Sequence, residues 1–372
     1  MLNVDIEVLR ERIAVAVAVE VEDGETVGVF GTSGAGKSTL LDAVAGLVPI
    51  AAGRIDHGSR CLSRAGPDGS FQLPLRHRRV GYLRQRPGLF PHLDVEGNIS
   101  YSAAARHDGA GGTEELIDRL ELSGLRRAMP ATLSGGQARR VALARALAAD
   151  SLVLLADEPF SGLDGRLRRV VGQVLVEAAR RRRAPLLVVA HELADAQAFC
   201  DRLVVLEQGK VLQVGDPHEI VRRPSSVAVA RLVGYTSFVR VGGGLLGVHP
   251  QMASVVGTCG AHSGDGPGEA AQGVGPLGER GMLLQGVVRS SRPADARWEC
   301  SVDVAGVAVA CMADERPPPD GSRVEVALRS APAFGGDGRA LQDGPGAGAV
   351  GGGWMQRLCE TSAVDRHGMT DC

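Results

Sequence analysis

The residues best suited to chemistry lie in one short run, Gly31-Thr32-Ser33-Gly34-Ala35-Gly36-Lys37-Ser38, continued by Thr39. It has the Gly-x4-Gly-Lys-Ser spacing of a phosphate-binding loop. It also stands where such a loop must, after the apolar run Thr26–Phe30 and at the start of a helical pattern. The glycines let backbone N–H groups face β- and γ-phosphate oxygens, and the helix N-terminus adds a favourable dipole. Lys37 would neutralise the γ-phosphate, and Ser38 would ligate Mg²⁺. The competing reading is an ordinary glycine-rich turn. Against it, Lys and Arg together number 41, and only Lys37 and Lys210 are lysine. A chain that uses arginine almost everywhere keeps a lysine where a compact ammonium on a flexible stem is needed.

Asp157 and Glu158 follow the apolar run Leu152–Ala156. Asp157 would sit on Mg²⁺ or just behind it, and Glu158 would orient or deprotonate an attacking water. Taken alone, the pair reads equally well as an acidic strand end capping the next helix.

Between these motifs lies Leu133-Ser134-Gly135-Gly136-Gln137. The order resembles that of ATP-binding-cassette (ABC) ATPases, in which two cassettes close head to tail and each lends this pentapeptide to the other's nucleotide. The resemblance implies that Ser134, Gly135, Gly136 and Gln137 meet a γ-phosphate carried by a second copy. Ser134 also suits an N-cap for the helical stretch Ala138–Leu147. Gln85, in Gly81-Tyr82-Leu83-Arg84-Gln85, resembles the Q-loop glutamine, which would sense Mg²⁺ and γ-phosphate. Pro159-Phe160-Ser161-Gly162-Leu163-Asp164 resembles the D-loop, with Asp164 contacting the opposite subunit. His191 resembles the switch histidine, which would hold the γ-phosphate and the water near Glu158. The implied catalytic set is Glu158, His191, Lys37 and Gln85, and the implied metal set is Ser38, Gln85 and Asp157. The cofactors implied are ATP and Mg²⁺. Three positions depart from the family pattern. No aromatic residue precedes Phe30, so the adenine contact would fall to an aliphatic side chain, Arg10 or Arg12. Ala138 and Ala190 stand where relatives carry polar residues.

The elements that must position these groups read as α/β. Strands at 13–19 and 26–30 flank a turn at 22–25, and a helix from Lys37 ends at Gly46. Residues 98–149 are mostly helical, with a loose loop at 109–112. The apolar runs Leu152–Ala156 and Leu186–Ala190, separated by a helix at 166–182, indicate a mostly parallel sheet. A hairpin at 204–214 and a helix near 217–223 follow. Arg180–Arg183 reads as a solvated helix end complementing the dipole. The expected fold is a P-loop NTPase of the ABC cassette type at 1–235, with an inserted helical subdomain at about 86–150. A linker and the start of a β-domain would occupy 236–282. Alternating strands at 283–334 would form a small all-β, OB-like or TOBE-type barrel, and a Gly-rich tail from 335 would be disordered.

Composition narrows the partners. The net charge of −2 gives no case for nucleic acid. The seven scattered cysteines include no Cys-x-x-Cys pair, so a disulfide framework or zinc site is not expected and a reducing compartment is. No apolar run reaches the roughly 20 residues of a bilayer span. The expectation is a soluble chain on the cytoplasmic face of the membrane, held there by a permease.

The β-domain resembles that attached to importer ATPases for sulfate, iron(III), polyamines, sugars and molybdate. The Leu89-Phe90-Pro91-His92-Leu93 stretch is shared among importers of oxyanions and iron. Gly97-Asn98 with Tyr101 looks more like molybdate importer ATPases. The resemblance therefore implies ATP-driven uptake of molybdate or tungstate by a homodimer of cassettes on a transmembrane permease dimer, fed by an extracytoplasmic oxyanion-binding protein. The alternatives are an iron(III) or sulfate importer, a non-transport ABC ATPase, and a stand-alone oxyanion sensor.

Overall fold

Alternation builds the first hairpin. In the strands Leu2–Arg10 and Ile13–Val21, Leu2, Val4, Ile6 and Val8 face the core with Val15, Val17, Val19 and Val21, while their neighbours face outward. The strands Thr26–Phe30, Val153–Asp157 and Leu186–Val189 are instead buried throughout, as strands covered on both faces must be. The computed structural model describes residues 1–341, apart from 11–12, 68, 104–110, 242–243, 259–273, 278–280, 295–296 and 330. The chain divides into two compact units, Met1–Pro217 and His218–Cys372.

In the first unit, the described strands form an 11-stranded sheet. Five run parallel in the order 202–207, 26–30, 186–189, 153–157 and 80–83. Strand 210–215, antiparallel to 202–207 and parallel to 13–21, joins them to the antiparallel strands 13–21, 2–10, 52–57, 60–66 and 69–72 on the other side. The expected mostly parallel sheet is thus only the half that carries the candidate site. The helix Lys37–Ala45 stops at Gly46, whose φ of 82° suits a C-cap. The expected helical insert resolves into Val95–Ala103, Gly111–Arg119 and Gly135–Ala148, with only short 3₁₀ turns between the last two. Of the loose loop expected at 109–112, residues 109–110 lie outside those described.

Arg78 is 1% exposed and has no carboxylate partner among the described residues. Its guanidinium donates to the carbonyls of Val44 (2.9 Å), Leu62 (2.8 Å) and Leu73 (2.9 Å) and to the Ser63 hydroxyl (2.6 Å). It therefore fastens the last turn of the Lys37–Ala45 helix to the antiparallel strands. Arg78→Met is expected to leave several buried carbonyls unpaired and to cost about 2–4 kcal/mol, read as a lower urea midpoint for the first unit. An unchanged midpoint would refute this role.

The arginine run is not simply solvated. Arg180 pairs with Asp201 (3.1 Å), Arg181 pairs with Glu115 (3.1 Å), and Arg182 donates to the carbonyls of Ala149 (3.1 Å) and Leu147. Arg182 thus satisfies carbonyls at the end of the Gly135–Ala148 helix, a C-terminal role played across two helices.

In the second unit, strands 281–294, 297–304, 307–313, 253–258 and 323–328 pair in turn, and the last returns to the first. That ring is the expected small barrel. A separate three-stranded sheet joins 237–241, 244–248 and 333–334. Strands at 237–241, 244–248 and 253–258 lie in the stretch expected as a linker and the start of the β-domain; its residues 259–273 and 278–280 lie outside those described. The unit begins at His218 rather than after 235, because Tyr235 packs within it, donating to the Val221 carbonyl (2.8 Å) and meeting the His249 ring edge-on. The expected disordered tail also starts too early. Arg339 and Ala340 form bridges with Ser226 and Phe334, which orders the chain as far as Leu341.

Candidate functional site

The glycine loop is held from beneath. The turn after strand 202–207 donates from the Gly209 N–H to the Ala35 carbonyl at 3.0 Å. A side chain on Gly31 would collide with the Leu206 carbonyl. Gly36 has a φ of 102°, and a Cβ there would lie 2.5 Å from Val15 Cγ2. Both glycines are therefore fixed by close approach as well as by conformation. Gly36 is the N-cap of the Lys37–Ala45 helix and offers no side chain to cap it, so the first-turn N–H groups are left for another acceptor.

Lys37 is 7% exposed and folds back over this loop. Its Nζ donates to the carbonyls of Gly31 (2.9 Å) and Thr32 (2.7 Å). Burial lowers its pKa, opposed by the charges of Glu158 and Asp157. The parallel strand Val153–Asp157 delivers those two carboxylates beside it. Asp157 is 3% exposed; burial raises its pKa, while a hydrogen bond from Ser38 and the Lys37 charge oppose the rise. Its second oxygen, Oδ1, is buried without a hydrogen-bond partner. A carboxylate paired with a hydroxyl, with one oxygen orphaned next to the phosphate loop, fits a hard divalent cation with oxygen ligands. Among the described residues no group of three His, Cys, Asp or Glu could hold a metal, so the fit rests on Ser38 and Asp157 together with phosphate oxygens.

Glu158 has a φ of 51°, a left-handed conformation uncommon for a side chain of this kind. The turn that holds it is closed by the Ser161 N–H on the Glu158 carbonyl at 3.3 Å. The Gln85 amide lies 3.3 Å from Glu158 Oε2, so the structure brings Gln85 to the glutamate. His191 follows strand Leu186–Val189 and is exposed. It shares with Glu158 a cavity of about 280 Å³, also lined by Phe160, Arg168, Glu192 and Asp195. Arg168 pairs with Glu192 and with the buried Asp195 (3.5 Å), which anchors the turn carrying His191.

Ser134 and Gly135 are exposed at the start of the helix Gly135–Ala148. Ser134 Oγ accepts from the Gln137 N–H (3.3 Å), and Gln137 Oε1 accepts from the Ser134 N–H (2.8 Å), a complete capping box. Asp164 caps its own helix, accepting from the N–H groups of Arg166 and Leu167 at 2.9 Å each. The structure thus gives Asp164 a capping role within its own chain. Of the base-contact candidates, Arg10 reaches Asp42 at 4.0 Å and Arg12 lies outside the described residues. Three arginines that sequence reasoning passed over serve the site: Arg168, Arg139, and Arg145, which donates to the Pro87 and Gly88 carbonyls at 3.0 Å each.

The raised pKa of Asp157 carries a testable sign. With the folded value above the unfolded one, its contribution to stability is fully present below the unfolded pKa and is lost as pH rises through the folded one. At neutral pH the buried carboxylate therefore opposes folding. Asp157→Asn is expected to raise the unfolding midpoint of the nucleotide-free chain by about 2–4 °C while removing any Mg²⁺-dependent gain in the presence of ATP. A lowered midpoint would contradict this.

No described helix is long and apolar enough to cross a membrane. A family profile described as ABC transporter matches residues 15–161. The chain is 40% identical over 228 residues to an Fe(3+) ions import ATP-binding protein, FbpC, of Streptomyces avermitilis, covering 60% of this chain and 64% of the relative. It is 38% identical to a sulfate/thiosulfate import ATP-binding protein, CysA 2, of Agrobacterium fabrum, covering 59% and 63%. Both matches span less than two thirds of the relative's length. The FbpC of Streptomyces coelicolor is 35% identical over 325 residues, 86% of this chain and 87% of that one. Among solved structures, the ATP-binding subunit of an ABC transporter is similar at 28% identity and a TM-score of 0.52, over 59% of this chain and 92% of that one. A dimeric ATP-binding cassette in a post-hydrolysis state, bound to ADP and Pi, is similar at 26% and 0.51, over 58% and 99%. With the phosphate loop, the capped Ser134–Gln137 turn and the Asp157–Glu158 strand end gathered on one cassette, and a relative matched along most of both chains, the protein belongs to the ABC-transporter ATP-binding family.

Proposed function

We propose that this chain is the ATP-hydrolysing subunit of an ABC importer and works as a homodimer on the cytoplasmic face of a membrane, against a permease. The observation that carries the reading is the convergence of Lys37, Ser38, Asp157, Glu158 and Gln85 at one end of the parallel strands. The triphosphate takes the Gly31–Thr39 loop, and Lys37 exchanges its two loop carbonyls for phosphate oxygens. Ser38, Asp157 and Gln85 would hold Mg²⁺, which would supply neutralisation of the triphosphate's charge. Glu158 accepts hydrogen bonding from the attacking water and draws its proton. His191, across the same cavity, steadies the γ-phosphate side. Ser134 to Gln137 of a second copy close the open side, as the exposure of that turn in a single chain suggests.

The names of the relatives favour iron(III) as cargo, with sulfate or thiosulfate next. Molybdate or tungstate remains a second reading, on one feature. Gly97 donates to Asp94 Oδ1 at 2.7 Å, and a Cβ there would meet that oxygen at 3.0 Å. Asn98 holds Phe90, Leu93 and Asp94 through their backbones, and Tyr101 packs on Phe90 with ring centroids 4.5 Å apart. This Gly97–Asn98–Tyr101 cluster is the part of the sequence that resembles molybdate importers. Uptake of iron(III), sulfate and molybdate by cells lacking the chain separates the cargoes. Loss of molybdate uptake alone would overturn the iron(III) assignment, and absence of ATP turnover by the purified chain with any permease would overturn the whole proposal.

A further inference from the structure

The helix Gly135–Ala148 does more than present its capped start. Arg139, in the turn after Ser134, sends Nη2 to the Gln85 carbonyl (3.1 Å) and Nη1 to the Ser161 carbonyl. Those carbonyls belong to the two loops that carry the hydrolytic groups. The Ser161 N–H closes the turn on Glu158, and the Gln85 side chain reaches Glu158 Oε2. Gly136 reinforces the junction: a Cβ there would meet Leu163 Cδ2 at 3.3 Å and the Gly162 carbonyl at 3.5 Å. One helix start, the Gln85 loop and the turn after Glu158 are thus fastened at a single guanidinium, whose two terminal nitrogens meet two separate acceptors in a fixed, planar geometry that the single nitrogen of a lysine does not offer.

We propose that Arg139 is a positioning residue for hydrolysis, tying the helix whose start meets the second copy's nucleotide to the Gln85 and Glu158 loops of its own site, so that closure at one nucleotide aligns the carboxylate at the other. This rests on the ATPase reading above. Movement of the helix is passed to both loops through the fork, and a misplacement of about 1 Å at a reacting group can cost about 100-fold in rate.

The test uses the full chain, with ATP saturation curves, nucleotide titration and thermal unfolding for wild type, Arg139→Ala and Arg139→Lys. In both variants kcat is expected to fall about 10- to 100-fold. The ATP dissociation constant should stay within about twofold, and the Hill coefficient should drop to about 1. Arg139→Lys should recover little, because a single nitrogen cannot reproduce the separate positions from which Nη1 and Nη2 meet the two carbonyls. Retention of kcat and of the Hill coefficient in Arg139→Ala would overturn the proposal. So would losses of ATP affinity or thermal stability matching the loss of kcat, which would mark a merely structural arginine. Full rescue by Arg139→Lys would overturn the two-carbonyl clamp. A wild-type chain that binds ATP without turning it over would sink the ATPase reading itself, a result visible before any variant is compared.

Discussion

Glu158→Gln is expected to lower ATP turnover by about 10²- to 10⁴-fold, the usual range for removing a general base, while ATP still binds. The amide is close in size to the carboxylate and keeps a hydrogen-bonding atom 3.3 Å from Gln85, so the turn around the left-handed Glu158 should persist. What disappears is the capacity to take a proton from water. Steady-state phosphate release together with nucleotide titration separates the two effects. Turnover within tenfold of wild type would remove Glu158 from the mechanism, whereas loss of binding would mean that it holds nucleotide instead.

Lys37→Arg should be almost as severe, though it keeps the charge and follows the chain's own preference for arginine. The lysine ammonium occupies a buried notch, 2.9 Å from the Gly31 carbonyl and 2.7 Å from that of Thr32. A planar guanidinium is wider, donates along fixed directions and cannot replace a point charge inside a curved loop. Losing this charge-assisted contact to phosphate is expected to weaken ATP binding about 100-fold, equivalent to about 3 kcal/mol. Titration with a fluorescent ATP analogue reads it, and thermal unfolding of the nucleotide-free chain checks that the fold is intact. An unchanged dissociation constant would place the triphosphate somewhere other than on this loop.

The parts of this site legible in the sequence are those whose physics is local. Gly31 and Gly36 mark a loop because only a chain without Cβ atoms tolerates those approaches, and Gly34 because its φ of 80° is left-handed. Ser134 and Gln137 form a capping box because their spacing alone permits it. The alternation at 13–19 and the unbroken apolar run before Asp157 likewise marked a strand and a strand end, whereas the pairing of 13–21 with Leu2–Arg10 was not read. Long-range partners were not legible. Arg139, Arg145 and Arg168 act on carbonyls or carboxylates distant in sequence, and in a chain so rich in arginine nothing local separates them from the solvated ones. Closure of the second unit's strands into a ring depends on non-local pairing of 253–258 and 281–294 with 323–328. Composition around 236–282 suggested a linker and the start of the β-domain, but not which of its strands close the ring. The boundary at His218 was hidden for the same reason, since Tyr235 and His249 meet only in the folded chain.

The central claim is that each triphosphate is caged by two copies of the chain, with the Ser134 turn supplied in trans. Ser33 is exposed on the phosphate loop, and a side chain at Gly135 would meet nothing within 4 Å, so both sites accept cysteine. In the Glu158→Gln background, Ser33→Cys combined with Gly135→Cys should give an oxidised dimer band when ATP and Mg²⁺ are present. No such band should form with ADP, without nucleotide, or in either single-cysteine control. A band indifferent to ATP, or none under any condition, would contradict a nucleotide shared between chains.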